Sequence, residues 1–227
     1  MGISYAPTAV IARTDAERLT LIRRTYLVVF AGLLISMAAV AVAFTQPQIL
    51  GAVAAHPWIM LLITFAPLFG AQRTARTFPA NVGFTFLFTF LIGLMLAPFL
   101  AIAERSQPGI LSNAAVLTGT TFAALTGYAF VSRRNFSAWG GFFFTGLIVL
   151  IVTSLLNVFV LKSAGISMWV AGATVLVFSG LLVFDTWRIR NSYGPDDYIP
   201  AAINIYLDFI NLFTAILRLL MGGQRRS

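Results

Sequence analysis

The sequence contains no cysteine, one histidine and only seven acidic residues among 227. Without cysteine there are no disulfides, no thiolate metal sites and no cysteine nucleophile. The single histidine, His56, stands beside Pro57 at the start of an apolar segment. A histidine-based metal enzyme therefore lacks ligands, and a rhomboid-like serine protease lacks a well-placed base. Charge is scarce overall: 10% of residues are charged, against about 25% in soluble domains. Period-two alternation of apolar and polar residues is also missing, which excludes a membrane barrel and leaves helices as the spanning form.

What the chain has is apolar length. Fifty-nine per cent of residues are hydrophobic, 21 are Phe, and the mean hydropathy is +0.90. That value over a whole chain describes a polytopic membrane protein. Seven apolar segments occur, at 25–45, 52–71, 82–103, 110–131, 138–161, 166–186 and 200–221. Each is near the ~20 residues a helix needs to cross the hydrocarbon core. The expected fold is an all-α membrane protein of seven transmembrane helices: a tail over 1–24, a spanning domain over 25–221 and a tail over 222–227. Pro57 and Pro67 make the second segment the least regular, and Pro98 predicts a kink in the third. Gly119, Ala123 and Gly127 form a small-residue ridge on the fourth, a pattern for close helix packing. The Arg pair, apolar run and small-residue exit of "RRTYLVVFAGLLISMAAVAVAFT" imitate a twin-arginine export signal. Six further segments follow, so the stretch is read as a first transmembrane helix.

The formal net charge of +8 is a topology signal here rather than a sign of nucleic-acid binding. Arg13, Arg18, Arg23 and Arg24 precede the first segment; Arg73, Arg76, Arg133, Arg134, Arg188 and Arg190 follow the second, fourth and sixth. The opposite connections carry only Arg105 and Lys162. The positive-inside rule then predicts a cytoplasmic N-terminus and, with seven spans, an external C-terminus, from which Arg225 and Arg226 dissent.

Five of the seven acids fall in the tail or the connections; only Asp185 and Asp208 touch spanning segments. A carboxylate at mid-bilayer costs on the order of 3 kcal/mol, so it faces protein or water and has a partner. Segments six and seven form a hairpin around "GPDD", with Asp185 eleven residues before Asp196 and Asp208 eleven after Asp197. The two are natural partners, although Asp185 falls at the end of its segment and Asp208 about 12 Å inside its own. Asn204, Asp208 and Asn211 lie at i, i+4 and i+7, one stripe that Arg218 continues. That stripe predicts a bundle-facing, central seventh helix. Two carboxylates held close in a low dielectric titrate as a unit; they can share a proton, bind a hard cation such as Ca²⁺ with the Asn amides helping, or be neutralised by Arg73 or Arg76. The plainer reading of Asp185 is an interfacial residue beside Trp187 and Arg188.

"IYLDFINLF" with "LLVFDTWRI" resembles the closing signature of the Bax inhibitor family, and "SRRNFSAWGGFFFTGLIVLIVTSLLN" is similar to the helix four–five junction of its bacterial members. The resemblance runs from the first helix to the C-terminus. It implies a seven-helix bundle with helix seven enclosed by the other six, in a bacterial inner membrane. It also implies a pH-sensitive calcium leak, with calcium ions and protons as its ligands, gated by an aspartate pair that Asp185 and Asp208 match. The family's neutralising arginine comes from the basic cluster ending helix two, here "QRTART", in which Arg73 and Arg76 are not separable. Family ties to membrane-protease quality control and cell-death suppression add a rival, a non-conducting regulator of other membrane proteins. No enzyme is expected. An intramembrane aspartyl protease would need a G-x-G-D-type motif, which "LVFDTW" and "YLDFIN" lack.

Overall fold

A computed structural model describes residues 14–223. Arg13, Arg225 and Arg226, with 1–13 of the first tail and 224–227 of the last, lie outside the described residues. All regular structure among the described residues is helical: α1 (Asp15–Thr45), α2 (Pro47–Ala55), α3 (Pro57–Arg73), α4 (Ala80–Ser106), α5 (Ile110–Val131), α6 (Trp139–Leu156, continued by a π-helical turn, Asn157–Leu161), α7 (Ala164–Asn191) and α8 (Tyr198–Gly223). Six are long and apolar enough to cross a membrane, and the bent α2–α3 pair makes a seventh if counted as one span.

The boundaries have local causes. α1 starts ten residues before the first apolar segment, because Thr14 and Glu17 form a reciprocal capping box. Much of the expected 1–24 tail is therefore helix. The second segment is broken, with α2 and α3 meeting at 96°. Pro57 drives the preceding His56 out of the helical region (φ −127°, ψ 57°) and opens α3 as its first residue. Pro67 and Pro98 lie inside α3 and α4 without ending them. The π turn closes on Lys162 in the left-handed region, and the buried Asn157 ties it to Ser163 and Ser167 at the start of α7.

α1 packs on α4, α3 on α4, and α6 on α7, while α5 lies against both α7 and α8. α8 touches α1, α3, α4, α5 and α7. Three arginine-bearing segments meet at one end of the bundle. Arg24 of α1 lies over the Tyr198 ring at 5.8 Å. Arg76, after α3, pairs with Asp197 at 3.2 Å. Arg190 of α7 donates to the carbonyls of Phe130 and Ser132 at 2.7 and 3.2 Å. At the other end Trp58, opening α3, stacks on Phe159 of the π turn.

Close packing falls elsewhere than the sequence pattern indicates. A side chain on Gly119 or Gly127 would meet nothing within 4 Å, so the ridge on α5 is not a packing seam. The tight seam is α1 against α4: a Cβ at Gly93 would collide with the Ser36 carbonyl and lie 2.9 Å from the Ala39 Cβ. Beside it the Ser36 hydroxyl contacts Thr89 O and Tyr206 Oη, both at 2.7 Å, joining α1, α4 and α8. α6 and α7 interlock through Phe143 over Gly180 and Phe184 over Gly140. The outer surface keeps large apolar side chains such as Leu62, Phe142 and Leu176, as a lipid-facing wall requires.

Replacing Gly93 by Ala forces backbone apart and is expected to cost about 1–3 kcal/mol. Gly119→Ala, facing open space, is expected to be neutral or stabilising by up to about 1 kcal/mol. Thermal unfolding of both variants in detergent checks this; equal midpoints would show that the α1–α4 seam yields.

Candidate functional site

Asp185 and Asp208 are both buried, at 7% and 4% exposure. The depth mismatch anticipated from the segment boundaries is reduced on the α7 side. α7 runs on to Asn191, past the expected end at 186, so Asp185 lies six residues inside its helix. Asp208 lies ten residues into α8, near enough to Asp185 for the two carboxyls to interact across the α7–α8 interface.

One cation reaches this pair directly. Arg188, one turn beyond Asp185, donates Nη1–H to Asp185 Oδ1 at 2.9 Å. Its guanidinium lies 4.7 Å from the Tyr193 ring centroid and 5.5 Å from that of Phe184, so two aromatic faces hold it in place. Of the two arginines offered from sequence, Arg76 pairs with Asp197, and Arg73 closes α3. The reason is proximity. An arginine at i+3 on the same helix reaches the carboxylate with no chain to bridge.

The polar stripe on α8 divides by partner. Asn204 Nδ2 donates to Tyr193 Oη at 2.8 Å, so the α7–α8 connection folds back over the pair. Asn211 Nδ2 instead donates to its own helix, at Leu207 O. From α1, Tyr26 approaches Asp208 and its hydroxyl lies 3.4 Å from Thr186 Oγ1. Sequence reasoning missed Arg188 as the cation, and missed Tyr26 and Tyr193. The D-x-x-R spacing was a readable signal for the first; nothing local marks the tyrosines. Asp208 Oδ2 is buried with no hydrogen-bond partner.

A resident calcium ion does not fit. Such a site needs about six to eight oxygen ligands, whereas two carboxylates meet here and one already carries a guanidinium. No group of three or more metal-ligating side chains occurs among the described residues. The arrangement can hold one uncompensated negative charge in an apolar surround, which a proton or a transient cation can balance.

A helical bundle with long apolar spans and two buried acids defines an integral membrane protein. The family model described as inhibitor of apoptosis-promoting Bax1 matches residues 18–226. Over 206 residues the chain is 35% identical to "Bax inhibitor 1" of Schizosaccharomyces pombe, covering 89% of this chain and 76% of that protein. It is 37% identical over 164 residues to an uncharacterized membrane protein of Vibrio cholerae (71% and 73% covered). It is 30% identical over 210 residues to a BI1-like protein of Arabidopsis thaliana (89% and 80% covered). The chain belongs to the Bax inhibitor family.

Tyr193 gives the site a pH-readable reporter outside the spanning helices. Burial pushes its phenol from the ordinary 10.0 up to about 12, against the opposing Arg188 cation and with a further push from the Asp185 charge. The folded state then holds this proton more tightly than the unfolded chain, so its stabilising contribution is complete below pH 10 and lost as pH rises towards 12. Ultraviolet phenolate titration, taken as wild type minus Tyr193→Phe, is expected to show a step near 12. A step at the ordinary phenol value would mean that the connection does not cover the site.

Proposed function

We propose that this protein is a pH-sensitive calcium leak in which Asp185 and Asp208 act as one proton- and cation-responsive gate between α7 and α8. The carrying observation is two buried acids that interact across α7 and α8, with the Arg188 guanidinium on Asp185 and an oxygen of Asp208 unpartnered among the described residues. The groups facing the pair are Arg188 on α7 itself, Tyr193 from the connection and Tyr26 from α1. A shared proton joins the two carboxyls across the helix interface; without it, two anions face one guanidinium and repel. In this reading α8 is the central helix of a seven-span bundle, lined by α1, α3, α4, α5 and α7. Its function needs no bond-making chemistry, so the protein is not an enzyme.

The same proposal sets the chain in a bacterial inner membrane with its N-terminus in the cytoplasm. It is supported by the gathering of Arg24, Arg76 and Arg190 at one end of the bundle. A second reading is favoured by names: the family description speaks of inhibiting apoptosis, and a Vaccinia virus relative is called a Golgi anti-apoptotic protein. Under it the protein is a non-conducting regulator that contacts other membrane proteins or a membrane protease.

Liposomes loaded with a calcium-sensitive dye separate the two. The leak reading expects calcium flux that varies with pH in the wild type. In Asp208→Ala the flux is altered, and in Asp208→Asn, which keeps the shape without the titrating group, its pH dependence is flattened. No flux at any pH, or an unchanged flux in Asp208→Ala, sinks the leak and leaves the regulator.

A further inference from the structure

The bundle end remote from the acid pair holds a cavity of about 390 Å³ between α4, the start of α7 and the end of α8. Its walls are Phe99, Met168 and Met221, with Gly165 and Gly222 also lining it. A Cβ on Gly222 would collide with the Met168 thioether, so glycine is what allows Met168 to lie along this wall. Arg218 enters from α8, ten residues beyond Asp208 on the same polar stripe. Its guanidinium lies 5.4 Å from the Phe99 ring centroid. No carboxylate among the described residues forms an ion pair with it. Glu104, the acid at this end of α4, is committed to the backbone N–H groups of Gly109 and Leu111 at 2.7 and 3.3 Å.

We propose that this cavity is a binding site for one anionic phospholipid, with the headgroup phosphate on Arg218 and an acyl chain along Phe99, Met168 and Met221. Three observations converge. The exposed Arg218 guanidinium, without an ion pair among the described residues, presents the planar fork that suits phosphate. The apolar walls suit a hydrocarbon chain and offer a soluble anion nothing. The depth is that of headgroups: Trp169, next to Met168, is 82% exposed, and Trp58 at the same end is 61% exposed, as interfacial tryptophans are. The first turn of the 28-residue α7 also faces the cavity through Ala164 and Gly165, adding the positive end of a helix dipole. Simple snorkelling of Arg218 to water would need neither the cavity nor the glycine beneath Met168.

Native mass spectrometry of the full chain, titrated with phosphatidylglycerol or phosphatidylcholine of matched chains, tests this. Wild type is expected to retain the anionic lipid about tenfold more tightly, the scale of one charge-assisted contact. Arg218→Gln is expected to abolish that preference and Arg218→Lys to keep part of it. Arg133→Gln, which removes an equal exposed charge at the opposite end, leaves it unchanged. Far-ultraviolet circular dichroism and the unfolding midpoint verify that each variant is folded. The site is overturned if Arg218→Gln retains the preference, if Arg133→Gln loses as much, or if soluble glycerol phosphate displaces the lipid at equal concentration.

Discussion

A carboxylate in the interior of α8 is the constraint around which the rest is arranged. In hydrocarbon Asp208 would cost on the order of 3 kcal/mol, so its helix cannot face lipid on that side. α8 packs chiefly on α7, α1 and α5, with lesser contacts to α4 and α3, while α6 packs on α7. α7 continues past the apolar segment to Asn191, which sets Asp185 six residues inside its helix and puts Arg188 one turn further on. The connection then closes over the arginine, with Tyr193 on one face and a hydrogen bond from Asn204 to fix the ring. Each step compensates the one before it. Removing Arg188 would leave the buried Asp185 carboxylate without its cation, the costly case, whereas the guanidinium is itself partly exposed to solvent. Thus the hairpin carries a polar cluster at this end beside the apolar packing of Leu182, Ile189, Ala202 and Ile205, whereas around Leu212 and Leu217 at the other end the packing is apolar.

Much of this was legible because hydrophobic runs and scarce acids are properties of sequence alone. The segment at 138–161 became α6 with its π turn, and the one at 110–131 became α5 with the same limits. The two intramembrane acids stood out for want of competitors. Ends and partners were less readable. A capping box moved the start of α1 to Asp15, and a proline with its predecessor split the second segment into two helices at 96°. The choice of cation went to Arg188 at i+3 rather than to Arg73 or Arg76, since it turns on distances that a linear pattern does not encode. The small-residue ridge misleads for a related reason: Gly119 and Gly127 permit close approach, but whether another helix approaches is decided by the whole bundle.

The two charged positions of α8 constrain it jointly. Asp208 and Arg218 lie ten residues apart on one stripe, which a helix translates into about 15 Å along its axis. One is anchored against α7 near the arginine-rich end, and the other emerges over Phe99 at the tryptophan-bearing end. A slide of α8 along the bundle would carry Arg218 towards the hydrocarbon or lift Asp208 away from Asp185, and either costs charge solvation. Rotation about its axis is resisted by Tyr206, whose hydroxyl meets Ser36 in the glycine-tight seam between α1 and α4. In the gate proposed above, the motion that matters is separation of α7 from α8 at the acid pair, the polar point in an interface otherwise packed through Leu182, Ile189, Ala202 and Ile205. If the protein conducts, opening should therefore begin at the Asp185–Asp208 end of the hairpin, with α8 held at its far end and along the Ser36–Tyr206 contact.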